Sequence, residues 1–401
     1  MGKLCTLVAG RDRLLSQEKL MLNSMRLSAR VLCASATAAL CVSGSALAGT
    51  RLVPQQHATI QAAINAASNG DVVIVAPGVY SGAGNRDIDL LGKAITVKSA
   101  GGAATCTIYA GGPAEYHAGF LLQHPYTAST VVEGFTIMGG NQFNGGGVFI
   151  GDGSPTIKDC VITGNYAGCW GGGIYSQSSG APRIVNCRVV GNTSADEGGG
   201  VFTISSNARV ENCVIAGNAA SNGAAVCVFG GQPVFVNCRV TGNVAQEFCA
   251  AVYLWSGRLV NCTIAGNDAG VNGYGVYMAG GAGVINSIVW GNAGMPVFAD
   301  QSTVSFSLVQ GGMAGAGNRS ADPQFVNIAS GDYRLLSTSP AIDAGSSAGV
   351  PAGITVDLAG NARIADHPLI PDTGLANVYG AVVDMGAYEV GSRRVGSTVM
   401  R

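Results

Sequence analysis

The sequence predicts an all-β protein, a single-stranded right-handed parallel β-helix (a solenoid) with a short N-terminal capping helix and an irregular C-terminal cap. Three observations lead to this fold class. A heptapeptide recurs six times at intervals of 24 to 27 residues, the apolar runs are short and β-branched, and 61 glycines accompany only 11% charged residues. Such a period is typical of repeat proteins in which each unit buries its apolar side against the next.

The heptapeptide ends in Gly-Asn in every copy. Its copies are DCVITGN (159–165), NCRVVGN (186–192), NCVIAGN (212–218), NCRVTGN (237–243), NCTIAGN (261–267) and NSIVWGN (286–292). Apolar runs of three to five residues, separated by Gly and Asn, indicate strands and turns rather than helices. Stacked units pair each strand in parallel with its copy about 4.8 Å away. A leucine-rich repeat would contain more leucine, and a propeller blade would need about 40 residues.

Alternation along the strands assigns the side chains to columns in the stack. The third residue before the cysteine and the second after it are apolar in every copy, so both are predicted to face inward; the residue directly after the cysteine faces outward. The inward cysteine column is interpreted as small apolar residues, with a metal or redox ladder as the alternative: Cys160, Cys187, Cys213, Cys238 and Cys262. The final asparagines are predicted to form a hydrogen-bonded turn ladder that tolerates left-handed backbone: Asn165, Asn192, Asn218, Asn243, Asn267 and Asn292.

The N-terminal region predicts export followed by a cap. Residues 1–48 are an export signal region, with a signal peptide at about 25–48 that ends in Ala46-Leu47-Ala48. Because its apolar run is too short to span a bilayer, we expect no integral membrane segment in the mature chain. Ile60, Ala63, Ile64 and Ala67 share one helical face that is expected to cover the first coil. The net charge of −1 disfavours nucleic acid and anionic lipid as partners.

The segment ATIQAAINAASNGDVVIVAPGVYSG (58–82) and the NC-x-[IV]-x-GN units resemble pectin-lyase-like right-handed β-helix proteins with polymorphic outer-membrane-protein-type repeats. Residues 321–390 resemble a C-terminal choice-of-anchor module through ADPQFV, GDYRL, SPAIDAG, DLAGNAR and VDMGAYE. The resemblance implies a β-helix at 49–320, this module at 321–390, a tail at 391–401, and secretion to the periplasm or outer surface of a bacterium. It leaves the activity open, because such folds serve many functions.

Two columns are candidates for ligand contact. Aromatic residues that follow an inward Val or Ile should point outward and could hold sugar rings; the alternative is that they seal a turn. With Trp170, the predicted ligand-binding residues are Tyr175, Phe202, Tyr253 and Tyr277. The second column lies between the Gly-Asn turn and the glycine cluster and comprises Trp170, Asp196, Glu197, Asn222, Glu247 and Asn272.

Asp196, Glu197 and Glu247 are the candidate catalytic residues. Glu197 and Glu247 are expected two coils apart, roughly 9–10 Å, near the upper end of the separation in inverting glycosidases. Ordinary solvated loop carboxylates are the alternative. Against an enzyme, the sequence has no Asp-Asp pair of the polygalacturonase-like kind and no pectate-lyase-like grouping of carboxylates beside an arginine. Its histidines, His57, His117, His124 and His367, are isolated.

No metal site or cofactor is predicted. Calcium is the alternative in the C-terminal module, at Asp343, Asp357, Asp384 and Glu389, although aspartates in such turns are expected to accept backbone hydrogen bonds. The first functional hypothesis is an exported, non-enzymatic β-helix that engages polysaccharide or another cell-surface component along its flank. The alternatives are a polysaccharide lyase or glycoside hydrolase, and a structural spacer.

Overall fold

The chain forms a parallel β-solenoid in a computed structural model that describes residues 48–391 except Ser178, Ala250 and Val271. Residues 1–47 and 392–401, and with them the predicted signal peptide and most of the predicted tail, lie outside the described residues, as do the side chains of residues 247–249. Within the described part, four sheets contain 11, 10, 5 and 8 strands. Successive strands in each sheet pair in parallel, which confirms the predicted stacking of coils.

Coils that contribute to all four sheets do so in the order first, second, short and third sheet, and five coils carry a strand of the short sheet. The first sheet comprises Thr50–Val53, Val72–Val75, Thr96–Ser99, Val131–Glu133, Thr156–Lys158, Arg183–Val185, Arg209–Glu211, Val234–Val236, Arg258–Val260, Gly283–Ile285 and Thr303–Ser305. The second comprises Gly78–Ser81, Cys106–Tyr109, Thr136–Met138, Val161–Thr163, Arg188–Val190, Val214–Ala216, Arg239–Thr241, Thr263–Ala265, Ile288–Trp290 and Leu308–Val309. The short sheet comprises Asn141–Asn144, Tyr166–Trp170, Thr193–Ser194, Ala219–Asn222 and Val244–Cys249. The third comprises Phe120–Leu122, Val148–Ile150, Ile174–Ser176, Val201–Ile204, Val226–Phe229, Val252–Leu254, Tyr274–Met278 and Met295–Ala299.

The predicted inward columns fill the tube. The residues three before and two after each cysteine, and the same positions around Ser287, are buried: Ile157, Ile184, Val210, Phe235, Leu259, Val284, Ile162, Val189, Ile215, Val240, Ile264 and Val289. Burying each such side chain contributes about 1.5–3 kcal/mol, so the repeat itself supplies the core. The cysteines are buried between these columns, and Ser287 and Ser307 continue their column in the last coils. The N–H of Cys262 donates to Ser287 Oγ (3.0 Å), and that of Ser287 donates to Ser307 Oγ (3.1 Å).

The asparagines form two columns with different tasks, where the sequence predicted one. The final asparagines of the heptapeptides are buried and form the expected amide ladder: Asn192 Nδ2, for example, donates to Asn218 Oδ1 (3.1 Å). Their predicted left-handed backbone is wrong. Left-handed φ values of 50° to 54° belong to the first residue of each heptapeptide, Asp159, Asn186, Asn212, Asn237, Asn261 and Asn286. The glycines before the final asparagines are also left-handed, with φ of 61° to 65°.

The predicted capping helix is present as Ile60–Ala66. The side chain of Thr59 accepts the N–H of Ala62 (3.2 Å) and caps its N-terminus. Ile60, Ala63 and Ile64 are buried in the same core cluster as the first coils. No helix in the described residues has the length and apolar character needed to cross a membrane.

Residues 321–391, which we call the C-terminal segment, fold back along the outside of the solenoid. It contains the antiparallel strands Phe325–Asn327 and Asp332–Leu335 and the 3₁₀ helices Ile328–Ser330 and Ser347–Gly349. The amides of the left-handed asparagines hold it: Asn237 Nδ2 donates to Val356 O (2.8 Å), and Asn286 Nδ2 to Ser346 O (2.8 Å). Thr263, predicted to face outward, does so but is covered, because its Oγ1 accepts the N–H of Ala387 (3.0 Å).

Candidate functional site

A row of aromatic side chains follows the outside of the third sheet, as alternation predicts. Strand register aligns Phe149, Tyr175, Phe202, Cys227, Tyr253, Tyr277 and Phe298, which we call the aromatic row. Its rings stack on each other: Tyr253 and Tyr277 have centroids 5.1 Å apart at 2°, and Tyr277 and Phe298 are 4.7 Å apart at 13°. Stacking uses the ring faces within the protein, so the row stabilises the sheet.

Trp170 covers the middle of the aromatic row. Its ring lies 5.2 Å from that of Phe202 at 5° and 6.4 Å from that of Tyr175 at 7°. Tyr175 and Phe202 are therefore only 1% exposed, whereas Tyr253 and Tyr277 are half-buried. Burial raises the pKa of Tyr175 to about 12, and its hydroxyl donates to Gln177 Oε1 (2.7 Å). Ligand binding by these residues stays a prediction.

The second predicted column runs along one end of the short sheet. Strand pairing aligns Asn144, Trp170, Glu197 and Asn222 on successive coils. The next coil carries an irregularity, and Asn222 pairs with Cys249. The predicted register of Glu247 opposite Asn222 is therefore wrong, because two additional residues precede Cys249. The side chain of Glu247 lies outside the described residues, so its distance from Glu197 stays a prediction.

Asp196 and Glu197 place two carboxyl groups beside Trp170. Asp196 is exposed and its Oδ2 accepts the thiol of Cys169 (3.2 Å), while Glu197 is half-buried. Burial, with a contribution from the nearby charge of Asp196, raises the pKa of Glu197 to about 7. A carboxyl group with such a pKa can exchange a proton near neutrality, which is the property of a general acid or base.

A shallow groove lies at the opposite end of the short sheet. Its volume is about 320 Å³, and it is lined by Gly112, Pro113, Gly139, Gly140, Gly164, Asn165, Tyr166, Gly191 and Thr193. The floor is backbone, because side chains do not fit there: a Cβ on Gly140 would lie 1.7 Å from the carbonyl oxygen of Gly146. Tyr166, 42% exposed, lines the groove, and Tyr109, 36% exposed, packs against Gly112 and Gly139. Sequence reasoning did not find this groove, which needs the lateral register of several coils.

Charged side chains cluster beside the groove. His117 Nδ1 lies 2.5 Å from Asp87 Oδ2, and Glu115, 3.8 Å from His117 Nε2, pairs with Arg86. The cluster adjoins the groove through Asn141, whose N–H donates to His117 O (2.8 Å) and whose Nδ2 donates to Pro113 O (3.0 Å).

Two of the four histidines that are isolated in the sequence, His117 and His124, have carboxylate partners on a neighbouring coil. His124 likewise lies 3.1 Å from Asp89, to which the hydroxyl of Tyr126 also donates. The repeat period gave no signal for these pairs, because Asp87 precedes His117 by 30 residues, which is longer than the period of 24 to 27 residues.

Three of the four acidic residues suggested for calcium have partners within the C-terminal segment. Asp357 accepts the N–H groups of Asn361 (2.7 Å) and Glu389 (2.8 Å). Asp384 accepts those of Asp343 (2.8 Å) and Val390 (2.7 Å), and burial raises its pKa to about 7. Glu389 pairs with an arginine. The contacts of Asp357 and Asp384 are the backbone hydrogen bonds that the turn motifs predict.

Asp343, the fourth of these acidic residues, has fewer side-chain hydrogen bonds than Asp357 and Asp384. It is fully buried, yet only its Oδ2 accepts a hydrogen bond, from the N–H of His367 (3.3 Å). Its Oδ1 has no hydrogen-bond partner among the described residues. Burial raises the pKa of Asp343 to about 6.

The cysteine column contains free thiols. Cys160, Cys187, Cys213, Cys238 and Cys262 are buried and form no disulfide with any described side chain. Burial raises the pKa of Cys213 and Cys262 well above the ordinary thiol value. Cys213 and Cys262 are therefore protonated at neutral pH. All five side chains pack as small apolar groups, and each donates to the carbonyl oxygen two residues before it, as Cys238 does to Val236 O (3.3 Å).

A protein-family model agrees with this architecture. Residues 96–269 match a family model described as the right handed beta helix region. Similar solved structures include a pectate lyase, Pel9A, at 14% identity and a TM-score of 0.49, covering 86% of this chain and 97% of that one. A pectin methylesterase mutant in complex with a hexasaccharide has 12% identity and a TM-score of 0.39, covering 69% and 93%. No curated protein sequence matches significantly. The fold is a right-handed parallel β-helix, as predicted, whereas the repeat and anchor types stay predictions.

Proposed function

We propose that this chain is an exported, non-enzymatic β-helix that binds polysaccharide along its short sheet. The observation that carries the proposal is the groove of about 320 Å³ with a glycine floor and the exposed ring of Tyr166 at its side. Carbohydrate sites need a concave surface, an aromatic ring against which the C–H face of a sugar packs, and a few polar groups. Tyr166 supplies the ring, and Thr193 supplies an exposed hydroxyl group.

The groove runs along the solenoid axis. Gly139, Gly164 and Gly191 belong to successive coils, whose strands lie about 4.8 Å apart. A linear ligand can therefore lie across several coils and meet the same kind of backbone surface repeatedly. None of the nine lining residues is charged. We therefore expect a neutral polysaccharide to bind more tightly than a polyuronate.

Binding is tested by titrating the mature chain with neutral and acidic polysaccharides in a calorimeter. Tyr166→Ala should weaken binding by about two- to tenfold, since one aromatic contact contributes about 0.5–1.5 kcal/mol. Tyr379→Ala is the matched control, because Tyr379 is 91% exposed in the C-terminal segment. Tyr253→Ala examines the aromatic row instead. Loss of binding in Tyr253→Ala with none in Tyr166→Ala would move the site to the third sheet, and no binding by any polysaccharide would favour a spacer.

A polysaccharide lyase or glycoside hydrolase is the second candidate, favoured by the pKa of about 7 at Glu197 beside Asp196. Its test is incubation with the same polysaccharides, followed by assays for unsaturated products and for new reducing ends. Turnover that disappears in Glu197→Gln would replace the non-enzymatic proposal. Export is tested separately by N-terminal sequencing of the chain recovered outside the cytoplasm, which should begin after Ala48.

A further inference from the structure

An exposed stretch of the C-terminal segment brings two carboxylates to the buried Asp343. Asp343, Asp366 and Asp372 each offer one carboxylate oxygen, and these oxygens lie within 4.8 Å of one another. Asp366 and Asp372 are exposed, whereas Asp343 is 0% exposed. The stretch is also tied to Asp343 by its backbone, because the N–H groups of Thr373 (2.9 Å) and Gly374 (3.0 Å) donate to Asp343 O.

Two features of this arrangement are electrostatically unfavourable. Asp343 Oδ1 is a buried acceptor without a hydrogen-bond partner, and burying a carboxylate oxygen without one is costly. In addition, three carboxylates at this distance repel one another. No cationic side chain forms an ion pair with Asp343, Asp366 or Asp372 among the described residues. One bound cation would give the buried carboxylate of Asp343 a partner and would offset the repulsion among the three carboxylates.

We propose that Asp343, Asp366 and Asp372 form a binding site for a divalent cation of the calcium class. All three ligands are hard oxygen donors, and two of them lie at the surface, where water can complete the coordination shell. Calcium accepts such a flexible set of six to eight oxygens, whereas magnesium requires stricter geometry. The bound ion fastens residues 366–372 to the body of the protein through Asp343.

This site differs from the calcium alternative that the sequence suggested. Only Asp343 is common to both, because N–H groups hold Asp357 and Asp384 and Arg363 holds Glu389. Asp366 and Asp372 fall outside the recognisable motifs, and nothing in their spacing indicates that they approach Asp343. The site is independent of the groove on the short sheet, so its failure would leave the proposed function untouched.

Calorimetric titration of the chelator-treated mature chain with calcium, and separately with magnesium, tests the site. We expect saturable calcium binding that weakens by at least about tenfold in Asp366→Asn and in Asp372→Asn, since each removes one of three charged ligands. Asp300→Asn is the matched control, because Asp300 is exposed and directly follows Met295–Ala299, the last strand of the third sheet. This variant should bind calcium as the unmodified chain does. Binding to all variants alike would overturn the proposal, as would tighter binding of magnesium.

Proteolysis supplies a readout that does not depend on the variants. Leu369 is 86% exposed and lies between the two surface ligands, so chymotrypsin should cleave there in the presence of a chelator. Calcium should slow this cleavage several-fold by fixing the stretch, while cleavage elsewhere stays unchanged. Equal cleavage rates with calcium and with chelator, together with no calorimetric signal, would exclude the site.

Discussion

Arg363 and Glu389 form an ion pair in which Nη2 lies 3.2 Å from Oε2 and neither side chain is exposed. Arg363 Nη2 also donates to Asp384 O (2.6 Å), so one guanidinium joins the DLAGNAR and VDMGAYE motifs. Burial raises the pKa of Glu389, and the charge of Arg363 opposes that effect. A buried pair of this kind is costly to break, because the remaining buried charge loses the opposite charge beside it.

Replacing Arg363 with Met should therefore destabilise the C-terminal segment by about 3–5 kcal/mol. The measurement is urea unfolding of the variant and the unmodified chain. Arg334→Met provides the control, because it removes a pair with Asp332 in which Arg334 is 63% exposed, and such a surface pair contributes about 0–1 kcal/mol. Similar losses in both variants would show that the buried pair has no special role in stability.

Substitution of any interior asparagine of the amide ladder should lower the free energy of unfolding. Asn218 Oδ1 accepts both the N–H (3.0 Å) and the Nδ2 (3.1 Å) of Asn192, and its own Nδ2 donates to Asn243 Oδ1 (2.9 Å). Asn218→Ala leaves two buried donors unpaired, so the free energy of unfolding should fall by about 2–4 kcal/mol. Asn272→Ala, at an exposed asparagine, should change it by less than about 0.5 kcal/mol. A small loss in Asn218→Ala would mean that water replaces the missing amide.

The coil architecture was predictable because it follows from local periodicity. The spacing of the heptapeptide and the alternation around each cysteine assigned Ile162, Val189 and their equivalents to the interior, where they are found. The left-handed position was assigned to the wrong asparagine, since both Asn186 and Asn192 flank the same short strand and sequence alone does not say which one turns.

Contacts between distant segments were not predictable from the period. Arg239 was expected at the surface, but the C-terminal segment covers it: its guanidinium donates to Gly331 O (3.0 Å) and lies 5.6 Å from the ring centre of Tyr333. The repeat period likewise does not predict the groove or the charged cluster beside it. The groove depends on glycines of several coils, and the pairing of His117 with Asp87 depends on the length of one irregular coil.

The cysteine column should tolerate serine. Ser287 and Ser307 already occupy the equivalent positions, where their hydroxyls accept N–H groups as the thiol of Cys213 accepts that of Cys187 (3.4 Å). Cys213→Ser should lower the free energy of unfolding by only about 1 kcal/mol, the price of a slightly more polar group in a satisfied position. Native thiols of this column should also resist iodoacetamide, as mass spectrometry of the digested protein can show. A Cys213–Cys238 disulfide in that digest would contradict the packing role.

Glu197 should make the free energy of unfolding depend on pH between about pH 4.5 and pH 7. Its pKa is near the usual 4.5 in the unfolded chain and about 7 in the fold, where burial is the main cause. Between these values the folded state binds one proton more than the unfolded state, so the free energy of unfolding falls as pH rises. The stabilising contribution is complete below about pH 4.5 and is lost as pH passes through about 7; for a half-buried group we expect about 1–3 kcal/mol.

Thermal unfolding of matched variants between about pH 4 and pH 8 isolates this contribution. Glu197→Gln should flatten the decline in Tm with rising pH, and Asp196→Asn should reduce it in part, because the charge of Asp196 raises the pKa of Glu197. Glu133→Gln is the control, since Glu133 belongs to the first sheet and pairs with Lys158 (3.1 Å). If Glu197→Gln and Glu133→Gln gave the same pH profile, Glu197 would titrate as an ordinary solvated carboxylate, and the acid–base chemistry suggested for this column would lose its physical basis.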